Sequence, residues 1–163
     1  MSEFLKLLGI GLIALASLTF FKEYKKHIEQ SVALCESFHS LLTHVRRKID
    51  CYLTPAKSLL LDFSDDALEK CGFLARAREE GVREAYFALE KELGISSEAK
   101  EILHGVFRDF GRDYKDGTVK ELDGGILSLE KHLAKEAAES EKSVKIAGTL
   151  TAAFALGVII LII

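Results

Sequence analysis

The chain has 163 residues, 48% of them hydrophobic and 29% charged, with a formal net charge of −3. This length suits one domain, and the slightly acidic balance excludes the basic field that nucleic-acid binding requires. Three cysteines, Cys35, Cys51 and Cys71, have no paired spacing; they argue against a disulfide framework and for free thiols in a reducing compartment.

Residues 4–21, "FLKLLGIGLIALASLTFF", form an apolar block broken only by Lys6. A signal peptide is the competing reading, with "ALAS" at Ala14–Ser17 as its cleavage site. The acidic opening and the apolar run continuing to Phe21 favour an uncleaved N-terminal transmembrane helix instead. Lys22, Lys25 and Lys26 follow at once, and such clusters lie on the cytoplasmic side of a span. Every charge except Glu3 and Lys6 falls within 22–145, which reads as a cytoplasmic helical bundle.

The bundle opens with a long helix. Ile28, Cys35, Phe38, Leu42, Val45, Ile49 and Tyr52 recur at spacings of three and four, with Ser31 filling the one polar position. Thr54-Pro55 stops this helix and starts another, because proline suits the first helical position. Ser64 precedes "DDALEKCGFLARAREE", whose acids favour a helix N-terminus. Gly81 separates it from a helix through Ala85, Tyr86, Leu89 and Leu93, ended by Gly94. Ser96 or Ser97 caps the next, which presents Ile102, Leu103, Val106, Phe107 and Phe110 and halts near Gly111. "TVKE" at Thr118–Glu121 has capping-box spacing. Val119, Leu122, Ile126, Leu129 and Leu133 then mark a final helix that can run past Gly124-Gly125.

The chain closes with "IAGTLTAAFALGVIILII", residues 146–163, which carries no charge and follows Lys142 and Lys145. As a helix it is ~27 Å long, close to a hydrocarbon core of ~30 Å, and it reads as a C-terminal transmembrane helix. With no sustained period-2 run and no Asn-Gly turn, the expectation is all-α: an antiparallel bundle of about six helices flanked by transmembrane helices. Gly9, Gly11 and Ala14 on one span, and Gly148, Ala152 and Ala155 on the other, leave room for the spans to pack closely as a hairpin.

Catalytic or metal chemistry finds little purchase. Cys35 and His39 are four apart and share a helix face. His44 points elsewhere and no second ligand pair is near, so a packed cysteine beside a rim histidine is the better reading. His27, His104 and His132 read as exposed or at bundle edges. Asp65-Asp66 and Glu79-Glu80 are adjacent pairs, and adjacent residues diverge on a helix. "ELDGGILS" lacks the spacing and basic residue of a phosphate-binding loop. The sequence reads as a non-enzyme with no cofactor and no metal.

Several landmarks together carry a resemblance. "IDCYLTPAKSLL" stands where one family has Ile-x-x-Gly-x-Thr-Pro-Leu, "EAYFALEKEL" where it has Ala-Trp and an apolar heptad, and "FGRDYKDG" near a Leu-Gly-x-x-Asp pattern. In order and position between two apolar ends they resemble the stage III sporulation protein AB family over almost the whole chain. Departures are Tyr52 for glycine, Ala56 and Phe110 for leucine, Tyr86 for tryptophan and Thr118 for glutamine. The family in turn looks like one cytoplasmic bundle of the F-type platform proteins of type II secretion.

The resemblance implies a membrane platform or scaffold in the secretion-like channel between mother cell and forespore, required for endospore formation. It places the protein in the bacterial cell membrane on the mother-cell side, in the outer forespore membrane, with the bundle facing the cytoplasm. Its implied partners are a secretion-type ATPase, other membrane proteins of the sporulation channel and the lipid bilayer; homo-oligomerisation is left open. The alternative is a tail-anchored tethering or regulatory protein unrelated to secretion. A small membrane-embedded enzyme would need polar residues inside the spans, where only Lys6 stands.

Counting six helices puts residues 50–54, 79–83 and 111–118 at the membrane-distal end. The first and last bundle helices, ~43 and ~41 Å long, reach similar depth. The residues expected to meet a partner there are Asp50, Arg78, Glu79, Glu80, Arg83, Arg112, Asp113, Lys115 and Asp116.

Overall fold

The computed structural model describes residues 2–52, 59–110 and 115–162. These form six α-helices and no strand among the described residues: α1 (Ser2–Tyr52), α2 (Asp66–Lys70), α3 (Phe73–Glu80), α4 (Val82–Leu89), α5 (Ser97–Asp109) and α6 (Lys115–Ile162). The chain divides into two compact units, one of Met1–Glu29 with Ala137–Ile163, the other of Gln30–Glu136.

The Gln30–Glu136 unit holds the core. The α1 stripe is buried where the three-four spacing puts it: Cys35, Phe38 and Val45 are fully enclosed, and Leu42 is 1% exposed. Against it close Phe73 and Leu74 of α3, Tyr86 of α4, Phe107 of α5 and Leu122 and Leu129 of α6. An aromatic cluster organises the centre. Phe38 meets Phe73 edge-on at 5.0 Å between centroids, and Tyr86 lies 4.7 Å from Phe107. Edge-on and tilted arrangements let the positive ring edge meet the negative face. The buried Tyr86 hydroxyl donates to the Lys100 carbonyl at 2.8 Å, so the one polar group inside the cluster is satisfied.

Helices α1 and α6 run antiparallel through this unit. Arg46 meets the Asp123 carboxylate in a fork, Nε to Oδ1 at 2.9 Å and Nη2 to Oδ2 at 3.4 Å, while Cys35 lies beside His132. Where α5 crosses α6 the backbones come close, and a Cβ on Gly125 would run into Cγ2 of Val106.

The count of six agrees with the sequence reading, but the helices are different ones. Residues 53–58, including the expected restart at Pro55, lie outside the described residues, and 59–62 form a turn. His44 Nε2 meets the Leu59 carbonyl at 3.0 Å and Lys48 pairs with Asp62, tying this turn to α1. The single helix expected over "DDALEKCGFLARAREE" is two. Gly72 adopts φ 78°, a left-handed conformation costly for other residues, and separates α2 from α3. The cap of α2 is Asp65: its Oδ1 accepts from the amides of Ala67 and Leu68, both at 3.0 Å. Helix α4 ends at Leu89, before Leu93, and a turn follows. Ser96 caps α5 as expected, its Oγ accepting from the Ala99 amide. Helix α6 starts at Lys115, so Thr118 is a buried position within it and not a cap.

In the other unit, the opening of α1 and the end of α6 also lie antiparallel. Facing side chains run Ala16, Ser17 and Phe20 against Phe154, Thr151 and Leu150, and further along Ile28 and Glu29 against Val144, Glu141 and Ser140. Among the described residues no helix is long and apolar enough to cross a membrane. The side chains of Ile10, Ile13, Ala14, Ala155, Val158 and Ile159 lie outside the description.

Candidate functional site

Of the residues expected to meet a partner, the structure brings four together. Arg78, Glu79 and Glu80 close α3 and Arg83 opens α4, around Gly81 at φ 111° and ψ 156°. Only glycine adopts that conformation without strain, so the sharp break between α3 and α4 is written into one residue. The Arg78 guanidinium donates to the Phe63 carbonyl at 2.9 Å and lies 3.5 Å from Glu69, which gives it a task within the fold. Arg83 lies over the Phe87 ring at 5.7 Å to the centroid and 3.7 Å from Glu84. Glu79 and Glu80 are exposed, Glu80 pairing with Arg76 at 3.5 Å. Arg112 and Asp113 lie outside the described residues, as do the side chains of Asp50, Lys115 and Asp116. With α2 and α3 replacing the expected run of helices, counting turns no longer assigns these positions to one end.

The residues expected at the contact between the spans behave unequally. A Cβ on Gly148 would sit 3.5 Å from Cε2 of Phe21, ordinary van der Waals contact, so α6 passes closely under that ring. Gly9 and Gly11 have nothing within 4 Å of such a Cβ, and Ala152 is exposed. The side chains of Ala14 and Ala155 are not described.

A second cluster went unnoticed in the sequence. His132, expected at an edge, is 6% exposed and lies beside Cys35 of α1 and Glu136 one turn on. Its Nε2 meets Ser96 Oγ at 2.8 Å. Because Ser96 also caps α5, one hydroxyl holds both the helix start and the ring. Glu98 Oε2 is 3.4 Å from His132 Nδ1 and accepts from Lys135 Nζ at 3.0 Å. The Lys135 hydrogen bond holds the Glu98 carboxyl below the usual range. Burial first, then the Glu136 and Glu36 charges, pushes the Cys35 thiol up to about 12. The signal was available: Thr118, Leu122, Gly125, Leu129, His132 and Glu136 recur at four and three, and the first five are all buried. His132 occupies a core register position, overlooked because its type suggested a surface.

The fold and these side chains define an all-helical bundle protein with a charged α3–α4 turn and apolar helical ends. The chain belongs to the stage III sporulation protein AB family, whose model matches residues 6–163, and its role is therefore in sporulation. Comparison with curated proteins and with solved structures returned no match.

Proposed function

We propose that this protein is a non-enzymatic platform that holds a helical bundle at the cytoplasmic face of the membrane within the mother cell–forespore channel complex. The observation that carries this reading is the apolar surface at both ends of the chain. Leu8, Leu12, Leu15, Leu18 and Phe20 of α1, and Ile146, Leu150, Phe154, Leu156 and Ile160 of α6, are 49–73% exposed. Soluble surfaces rarely carry apolar patches of this extent, whereas a bilayer takes them up at no cost. The uncharged stretches 4–21, apart from Lys6, and 146–163, with lysines on their inner flanks, support two membrane anchors and an inward-facing bundle.

The partner class that suits a bundle without nucleotide-binding residues is a secretion-type ATPase supplying the complex with energy. The exposed acids beside Gly81 are its docking point in this reading, since charged rims set orientation and association rate. Detergent-solubilised full-length protein should capture a secretion-type ATPase from the same cell, and capture should fall as salt rises. Glu79→Lys with Glu80→Lys should reduce capture at low salt while leaving the melting temperature unchanged, because the Arg76–Glu80 pair is exposed and contributes little. Undiminished capture by that double variant would place the docking point elsewhere. Absence of capture by the unaltered chain would remove the platform reading.

A further inference from the structure

Cys35, His132 and Glu136 bring a thiol, an imidazole and a carboxylate together, their ligating atoms all within 4.8 Å of one another. They come from two helices that the core packing already fixes. Cys35 is fully enclosed, His132 is 6% exposed and the Glu136 side chain is 19% exposed. Two polar atoms here lack a hydrogen-bond partner: Nδ1 of His132 and Oε2 of Glu136. The first stands 3.4 Å from Glu98 Oε2 and the second 3.3 Å from His132 Nε2, near enough for attraction but without hydrogen-bond geometry. Buried polar atoms are paired in nearly all folded proteins, and a cation among the three side chains would pair with Glu136 Oε2 directly.

We propose that Cys35, His132 and Glu136 form a binding site for a divalent transition metal of the zinc class, cross-linking α1 to α6. The donor set decides the class. A thiolate selects against magnesium and calcium, and a mixed sulfur, nitrogen and oxygen set suits zinc or cobalt. Ligand atoms around a tetrahedral zinc lie roughly 3.3–3.7 Å apart, given bonds of ~2.0–2.3 Å. Side-chain torsions alone can therefore close the cluster onto an ion. On binding, the Cys35 S–H bond breaks, its proton leaves to solvent and the sulfur lone pair forms the bond to the metal. The metal thus offsets the reluctance of this buried thiol to ionise. Nε2 of His132 faces Glu136, so a metal bound there would replace its contact with Ser96, while Glu98 stands 3.4 Å from the other ring nitrogen, where a carboxylate can orient a metal-bound histidine. Three protein ligands leave a fourth position for water or a further carboxylate. The alternative is a histidine ring lodged between Glu98 and Glu136 with no metal at all.

Cobalt separates the two. The full chain, purified in mild detergent and stripped with a chelator, should bind one Co²⁺ with a thiolate-to-cobalt charge-transfer band and intense visible bands of tetrahedral geometry. Zn²⁺ should displace it and raise the melting temperature. The band should vanish in Cys35→Ser and persist in Cys71→Ser, which alters the partly buried thiol of α2's end. Should Cys35→Ser not fold, Glu136→Gln keeps the decision open, since circular dichroism can verify its helices. Its Co²⁺ affinity should fall on the order of 100-fold, with the charge-transfer band weakened to match. No band and no thermal shift in the unaltered chain would overturn the site, as would a band that survives Cys35→Ser or an unchanged affinity in Glu136→Gln.

Discussion

Replacing Phe38 by alanine removes the ring on which the aromatic cluster closes. Phe38 is fully buried, edge-on to Phe73 at 5.0 Å and to Tyr86 at 6.4 Å between centroids. Truncating a buried phenylalanine costs ~3–5 kcal/mol, the sum of lost transfer energy and a residual cavity. Its neighbours are poorly placed to fill the gap. Phe73 and Tyr86 are themselves fully enclosed, and the hydroxyl of Tyr86 is fastened to the Lys100 carbonyl at 2.8 Å. Domains are stable by only about 5–15 kcal/mol, so the loss is a large share of the whole. Tyr86→Phe is the contrasting variant: it keeps the ring and deletes one hydrogen bond, worth ~0.5–1.5 kcal/mol net. Urea unfolding of the full chain in mild detergent, followed by circular dichroism, reads both as midpoint shifts at constant slope. Phe38→Ala should lose at least ~3 kcal/mol and Tyr86→Phe about 1 kcal/mol. A loss below ~1.5 kcal/mol for Phe38→Ala, or equal losses in the two variants, would refute a core built around this ring.

The two neighbouring glycines of α6 should respond oppositely. Gly125→Ala meets Val106 and should destabilise by ~1–3 kcal/mol through overpacking, whereas Gly124→Ala has open space and should stabilise by up to ~1 kcal/mol through helix propensity. Thermal melts of the pair check this. Gly81→Ala forces a Cβ into a φ of 111° and against Glu84 Oε2 at 2.7 Å, so it should lower the melting temperature while Gly94→Ala, with open space, does not. Thiol reactivity should follow burial: in a Cys51→Ser background, Cys71 should react with a soluble disulfide reagent before unfolding and Cys35 only upon it. The Cys35 thiol is raised in the fold from 9.0 to about 12, so the folded state keeps a proton that the unfolded chain releases. Metal-free protein should therefore be fully stabilised by this group below pH 9 and lose that contribution as pH rises from 9 to 12. Urea midpoints across that window, compared between the unaltered chain and Cys35→Ser, isolate the effect.

The helices that could be read in advance were those whose burial follows a regular spacing. The α1 stripe from Cys35 to Val45 needed only the three-four rule, because each position meets the core directly. Boundaries set by a single backbone angle were harder. Gly72 sits inside a stretch of good helix formers, and nothing local announces its left-handed conformation. The acids after Ser64 favour a helix N-terminus, but that Asp65 caps it depends on its side chain reaching two free amides. Long-range pairing was the least legible. Arg78 looks like a surface charge until Phe63, fifteen residues earlier, presents its carbonyl. The Cys35–His132–Glu136 cluster joins residues nearly a hundred positions apart, and only the antiparallel course of α1 and α6 brings them together. The sequence offers Cys35 only the i,i+4 neighbour His39, which reads as a rim histidine beside a packed cysteine, with no sign of the contact with His132.

Compartment-specific labelling tests the doubly anchored, inward-facing bundle most directly. In the full chain expressed in a bacterial cell membrane, with Cys51 and Cys71 replaced by serine, single reporter cysteines at Ser2 and at exposed Lys91 can be probed with a membrane-impermeant thiol reagent. Ser2→Cys should be labelled in intact cells, and Lys91→Cys only after the membrane is permeabilised. Labelling of Lys91→Cys in intact cells while Ser2→Cys stays protected, or release of the protein by alkaline carbonate washing, would contradict the platform reading.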